Sequence, residues 1–298
     1  MKKFLIKIFL FALCLLAIDQ VFGFAMRQYE AHRSHAVVSH EENLADSVQA
    51  DLIVFGSSHA LNHYNTDLMS DSLGFSCFNA GIPGMGCITN YGFLVLVTQR
   101  YKPKYVILDI MPWFDSLLDS GDDVTRYLGP LKPFYDRPDI PEIFKKCSWQ
   151  EAAKMHSWFF RYNTRIVDIP EARKNLIGYS LEQGLIDPNI TVSEPSCELE
   201  TDSVKTHYLQ QIIRLCKSNG IKVALFVSPW YKKTKTFEID YIREMAKKEN
   251  VPFVTYLTDT TFVNNYNYFY SADHMNETGA NAYSRAIIPV IRELFDID

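Results

Sequence analysis

Three features of this 298-residue chain predict an α/β fold with a parallel sheet of about five strands and helices on both faces. Short apolar runs recur, each closed by glycine, proline or serine. Segments of helical periodicity lie between them, and the unusual short motifs all fall where the apolar runs end. Strands alternating with helices make βαβ units and therefore a parallel sheet. Ligands of such sheets sit beyond the carboxyl ends of the strands.

The N-terminus comes first. Residues 1–7 read MKKFLIK, with three lysines, and residues 8–18 (IFLFALCLLAI) are an unbroken apolar run before Asp19 and Gln20. A basic start before such a run marks a signal peptide or a signal anchor. The strict apolar run is short for a span of about 20 residues. With Lys7 snorkelling and Asp19 near the far interface, however, Phe4 to Met26 suffices. A retained anchor over 1–26 is the favoured expectation, with cleavage after Ala25 as the alternative. The lysines then place the remainder outside the cytoplasm, membrane-anchored or, if cleaved, secreted. Residues 27–49 are polar and mildly helical, as expected of a stalk.

The α/β region is expected over 50–298. Residues 51–55 (DLIVF), stopped by Gly56, read as a buried strand. Residues 75–80 (FSCFNA), 105–110 (YVILDI), 221–227 (IKVALFV) and 251–256 (VPFVTY) supply four more. Helices are expected over 89–100, 202–219 with Gly220 as C-terminal stop, 238–249 and 277–295. The stretch from about 114 to 200 breaks the alternation and is rich in aromatics and prolines. It reads as a mostly helical insertion, since a structureless loop of that length is improbable. Local packing and capping of a site are equally good accounts of it.

Composition narrows the function. Apolar content of 47% supports a sizeable core, and the net charge of −5 comes without the basic stripe that a nucleic-acid partner requires. Six cysteines show no CxxC spacing, and His59, His63 and Asp67 lack zinc-site spacing, so neither metal nor cofactor is expected.

Three motifs carry chemistry. In residues 51–60 (DLIVFGSSHA) a strand ends at Gly56, which permits a sharp turn presenting Ser57 and Ser58 above the sheet. A hydroxyl there attacks a carbonyl if a base lies nearby, and the following helix offers free N–H groups to an oxyanion. The bland alternative is a helix cap, where serine is favoured anyway. In residues 78–86 (FNAGIPGMG), the N–H of Gly84 and the amide of Asn79 are candidate oxyanion donors; a tight βα loop is the plainer account. In residues 270–280 (YSADHMNETGA), His274 precedes the last helix and has the basicity to take a proton from serine.

In this order the three segments resemble the SGNH/GDSL hydrolase superfamily, in its membrane-tethered, envelope-associated type. The resemblance covers 51–110 and 220–295 and implies a three-layer, flavodoxin-like sheet. It implies Ser58, the third residue of Gly56-Ser57-Ser58, as nucleophile and His274 as base. The oxyanion site would be formed by Ser58, Gly84 and Asn79. Two departures stand out. The family's aspartate, three residues before the histidine, is replaced by Ser271. Asp273 is the acid at hand, but it adjoins His274, where side chains usually diverge, which makes it a poor orienter. The family's Gly-x-Asn-Asp block is also missing, its place taken by Asp109-Ile110-Met111. Two functions follow as expectations. One is an esterase or O-acyltransferase acting on an acylated cell-envelope glycan or related ester; the other is a non-catalytic envelope binding or assembly protein of the same fold.

Overall fold

The computed structural model describes residues 1–32, 39–118, 124–163, 178–190, 200–231 and 239–297. The strands are β1 (Leu52–Phe55), β2 (Cys77–Asn79), β3 (Tyr105–Asp109), β4 (Lys222–Val227) and β5 (Phe253–Thr255). They form one sheet in the order β2-β1-β3-β4-β5, with every neighbouring pair parallel. The chain steps from β1 outward to β2, then returns to place β3 on the other side of β1. That reversal is the topological switch point, where a crevice opens beyond the strand ends.

The described residues form twelve α-helices: α1 (Lys2–His32), α2 (His40–Asp46), α3 (Ser58–His63), α4 (Thr66–Leu73), α5 (Cys87–Arg100), α6 (Pro112–Asp115), α7 (Ile140–Cys147), α8 (Trp149–Lys154), α9 (Trp158–Tyr162), α10 (Ser203–Ser218), α11 (Asp240–Lys248) and α12 (Glu277–Phe295). Alternation along the strands fixes the layers. Ile53, Phe55, Val106, Leu108, Val223 and Leu225 face a core shared with α2, α5, α10 and α11. Leu52, Val54, Ile107, Ala224 and Phe226 face a second core shared with α4 and α12. Both faces of the sheet are therefore buried, which is why the strands read as continuous apolar runs.

Local signals account for the helix ends. Asp202 caps α10 by accepting from the N–H groups of Val204 and Lys205, and Gly220 follows at φ 70°. Asn276 caps α12 by accepting from the N–H of Gly279. The short helices α3 and α4 between β1 and β2 are too brief to leave a periodic signature.

The expected stalk does not hold over its second half. Leu44, Ala45 and Val48 are buried in the first core. Arg100, at the end of α5, donates to the carbonyls of Ala45, Leu44 and Val48 at 2.6, 3.0 and 3.0 Å. One guanidinium thus satisfies carbonyls that the end of α2 leaves free. Residues 39–48 are part of the globular body.

In the stretch read as an insertion, 119–123, 164–177 and 191–199 lie outside the described residues. The remainder is largely helical: α6 to α9 and a 3-10 helix at Val124–Phe134. Its root is held by Lys205 of α10, whose buried ammonium donates to the carbonyls of Trp113 and Leu117 at 2.7 and 2.9 Å. Residues 178–190 run along the loop before α12, where the Glu277 N–H donates to the Glu182 carbonyl at 2.7 Å and the Ile186 N–H to that of Phe269 at 2.8 Å.

Arg100→Met should cost about 1–3 kcal/mol in urea unfolding, the range for hydrogen bonds to a charged group. It should also speed amide hydrogen exchange in residues 40–48 ahead of the rest of the domain. Unchanged exchange there would mean that the clasp does not hold α2.

Candidate active site

The site begins at the end of β1. Gly56 is required by space: a Cβ there would lie 2.7 Å from that of Ala60 and 2.8 Å from the Asp109 carbonyl oxygen. The chain can therefore turn tightly against β3 and start α3 at once. Ser57 caps that helix, its hydroxyl accepting from the His59 N–H at 3.4 Å. Ser58 becomes the first residue of α3 and stays partly exposed. Gly81 on the neighbouring loop is similarly constrained, since a Cβ there would sit 2.4 Å from the Leu61 nitrogen. The loop after β2 consequently rests against α3.

His274 arrives from the loop before α12, 216 residues away in sequence, and its Nε2 lies 2.7 Å from Ser58 Oγ. The other ring nitrogen fixes the tautomer. Nδ1 is 3.1 Å from Ser271 Oγ and 3.1 Å from Asp273 Oδ1. The Ser271 hydroxyl donates its proton to Asp273 Oδ1 at 2.8 Å, so its oxygen accepts at His274. Nδ1–H is thus shared between a hydroxyl and a carboxylate, and Nε2 presents its lone pair to the Ser58 hydroxyl, as a general base must. Burial opposes ionisation of Asp273, but the hydrogen bonds from His274 and Ser271 hold its carboxyl well below the usual range.

The expectation that Asp273 would diverge from its neighbour is overturned. The turn is tight enough for the Ser271 hydroxyl to accept from the His274 backbone N–H at 3.1 Å, and this folds the adjacent carboxylate back beneath the ring. Ser271 occupies the place of the missing acid and bridges the acid that is present.

Asn79 is a second correction. Its amide N–H groups are spent on the carbonyls of Ala60 and Tyr64 at 2.6 and 3.0 Å, and its oxygen accepts from the Gly81 N–H at 2.9 Å. It fastens β2 to α3 and has no donor left for an oxyanion. The backbone N–H groups of Ser58 and Gly84 make no hydrogen bond among the described residues, and Gly84 adopts φ 70°.

Behind the pair runs a buried polar chain. The Met275 N–H donates to His63 Nε2 at 3.0 Å, and the other ring nitrogen of His63 lies 2.9 Å from Ser228 Oγ. The Ser228 hydroxyl donates to Asp109 Oδ2 at 3.1 Å, and Tyr64 donates to Asp109 Oδ1 at 2.8 Å. Burial keeps His63 well below its ordinary basicity, so it stays neutral, accepting on one nitrogen and donating on the other. Ser228 and Asp109 stand at the ends of β4 and β3, and the chain therefore joins two strand ends and α3 to the His274 loop.

His59 is the residue that the sequence reading passed over. It is buried, and neither ring nitrogen has a hydrogen-bond partner among the described residues. It stacks on His63 at 4.8 Å and meets His274 edge-on at 5.4 Å. Burial, and then the proximity of His274, pull it down to about 3. The expected absence of a His/Asp cluster also needs correction. His59, Asp273 and His274 each offer a ligand atom within 4.8 Å of the others, the donor set of a three-ligand zinc site. A metal there would engage the imidazole that faces Ser58. Asp67 takes no part and accepts instead from the Tyr179 hydroxyl at 2.9 Å. His59 and His63, four residues apart on α3, share a helix face; that spacing was the available signal, although it does not say what the face meets.

No family model matches the chain, and no curated protein does. Among solved structures it is similar to a protein assigned as lipolytic, of the G-D-S-L family, from Desulfitobacterium hafniense DCB-2, with a TM-score of 0.42 and 12% identity over 80% of this chain and 98% of that one.

Burial raises the Asp109 carboxyl from 3.8 to about 7, against the opposing hydrogen bonds from Tyr64 and Ser228. A raised carboxyl favours folding while it stays protonated, and that contribution is lost as pH rises from the ordinary value through the folded one. Asp109→Asn removes the ionisation. Its stability relative to the parent should therefore improve as pH rises from 3.8 to above about 7, by on the order of a few kcal/mol. Urea denaturation across that range checks it, and a difference independent of pH would refute the buried-carboxyl account.

Proposed function

We propose that this chain is a serine-dependent ester hydrolase or O-acyltransferase of the SGNH/GDSL type, with Ser58 as nucleophile and His274 as base. The observation carrying this reading is the 2.7 Å contact between Ser58 Oγ and His274 Nε2, with Nδ1 backed by Ser271 and Asp273. In the first step Ser58 Oγ bonds to the acyl carbon while its proton passes to Nε2, and the tetrahedral oxyanion is held by the N–H groups of Ser58 and Gly84. His274 then returns the proton to the departing alkoxide, leaving an acyl-enzyme. Water or a second hydroxyl, deprotonated by the same imidazole, takes the acyl group and frees Ser58. Asp273 stabilises the imidazolium in both steps without accepting its proton.

The substrate in this reading is an acylated glycan or related ester of the cell envelope. The address rests on α1, a helix with a mean hydropathy of 2.2 and no burial against the protein over its apolar window. In this reading the three lysines at its start stay on the cytoplasmic side and the Ser58–His274 region lies outside it. A second reading, a non-catalytic binding protein of the same fold, is favoured by one observation. The Asn79 amide is committed to backbone, and the end of β3 carries Asp109-Ile110-Met111, with no asparagine donor.

A fluorophosphonate probe separates the two. The intact protein should label, Ser58→Ala should not, and His274→Ala should label at least about a thousandfold more slowly. Asp273→Asn should lose roughly a hundredfold, because Ser271 still accepts from Nδ1. Labelling that survives Ser58→Ala would remove the proposed nucleophile, and no labelling of the folded parent would favour the binding protein.

A further inference from the structure

Asp19 is anomalous in the sequence, a carboxylate inside an otherwise apolar helix. The structure accounts for it. Asp19 Oδ1 accepts from the Ser157 hydroxyl at 2.6 Å and the Phe159 N–H at 3.0 Å, and Oδ2 from the Trp158 N–H at 3.0 Å. These are the unpaired donors of the first turn of α9, whose own cap residue makes no side-chain capping bond. A side chain of α1 therefore caps a helix of the insertion. The next turn of α1 adds shape to the contact. Gly23 forms a notch filled by Trp158: a Cβ there would lie 2.2 Å from the indole Cγ. Gln20 accepts from the Trp158 indole N–H at 3.3 Å, and the rings of Phe22 and Phe159 are 5.4 Å apart. Arg27 and Arg161 both stack on Trp158, at 4.1 and 4.5 Å. Arg161 also packs on Tyr135 at 5.1 Å and donates to the Met155 carbonyl at 2.5 Å. Tyr135 and Met155 belong to the first core, so the contact runs from α1 into the body of the domain.

We propose that α9 is an interfacial helix seated in the outer face of the bilayer beside α1, with lipid covering Phe159 and Phe160. This rests on the reading of α1 as a retained membrane span. The occupant is argued from position. Residues 4–26 are about 33 Å of helix, close to one hydrocarbon thickness. Asp19 then sits about two turns below Arg27 and about 10 Å inside the outer end of that span, the depth to which the apolar face of an interfacial helix reaches. A bare carboxylate there is costly, and three donors from α9 offset that cost. Phe159 and Phe160 are 55% and 43% exposed, beside the exposed apolar side chains of α1. Exposed phenylalanines suit the apolar face that an interfacial helix buries at the headgroup–acyl boundary. The catalytic region is therefore seated on the membrane in a fixed orientation, and its ester substrate is presented at the lipid surface.

The test uses the full chain in vesicles of phosphatidylcholine and phosphatidylglycerol, with photoreactive benzoylphenylalanine replacing Phe159 in one preparation and Tyr241 in another. Mass spectrometry first reads the mature N-terminus. On the proposal, a chain retaining α1 forms a lipid adduct at position 159 and none at 241, and Gly23→Leu, which fills the notch, cuts the adduct several-fold. A chain beginning at Met26 would end the span reading and the proposal with it. A retained α1 without a lipid adduct at 159 would overturn the proposal alone, and so would a yield at 159 that Gly23→Leu leaves unchanged.

Discussion

The hydrogen bond from the Met275 N–H to His63 Nε2 is the tie on which the site depends. Ser58 belongs to α3 and His274 to the loop before α12, and neither element alone brings them within reach. His63 stands on the same helix as Ser58 and receives the backbone next to His274. Its other nitrogen engages Ser228, and through Ser228 it reaches Asp109. The Ser58 helix, the His274 loop and two strand ends thus share one buried line of polar groups. Such a line is valuable only when every member is satisfied, because an unpaired polar group in a low-dielectric interior costs more than the bond contributes.

His59 is the counterpoint. Its ring is as buried as that of His63, yet both nitrogens stand without partners. The nearby Trp230 indole nitrogen is also buried without one, and the two rings are 5.8 Å apart. Proteins rarely leave such groups orphaned except where strain, catalysis or an unoccupied ligand position explains them. His59 lies directly behind the Ser58–His274 contact, its ring 5.4 Å from that of His274.

Much of the fold was legible because a buried parallel sheet writes itself plainly: apolar runs at Leu52–Phe55, Tyr105–Asp109 and Lys222–Val227 admit few other readings. The long helices announced themselves by caps, as at Asp202 and Asn276. The pair Ser58 and His274 was legible from position after a strand and before a helix. The bonding around them was not. Nothing in the order Ser271-Ala272-Asp273-His274 says that the turn closes tightly enough for the adjacent acid to reach the ring. Asn79 looked like a donor because an amide at a strand end usually has one to spare, and only tertiary contact reveals that both of its N–H groups are taken. The role of Asp19 was hidden for the same reason, since its partners lie about 140 residues further along.

The spacing of the pair has a temporal side. Ser58 and His274 are 216 residues apart, and the base loop is positioned by α12, which packs on α3 and α4 and ends at Phe295. Synthesis proceeds from the N-terminus, so the sheet, the nucleophile turn and the α1–α9 contact can all form on an unfinished chain. The imidazole can face the hydroxyl only once α12 has docked on α3 and α4. A chain cut short before α12 therefore carries Ser58 without the contact that holds the His274 loop beside it.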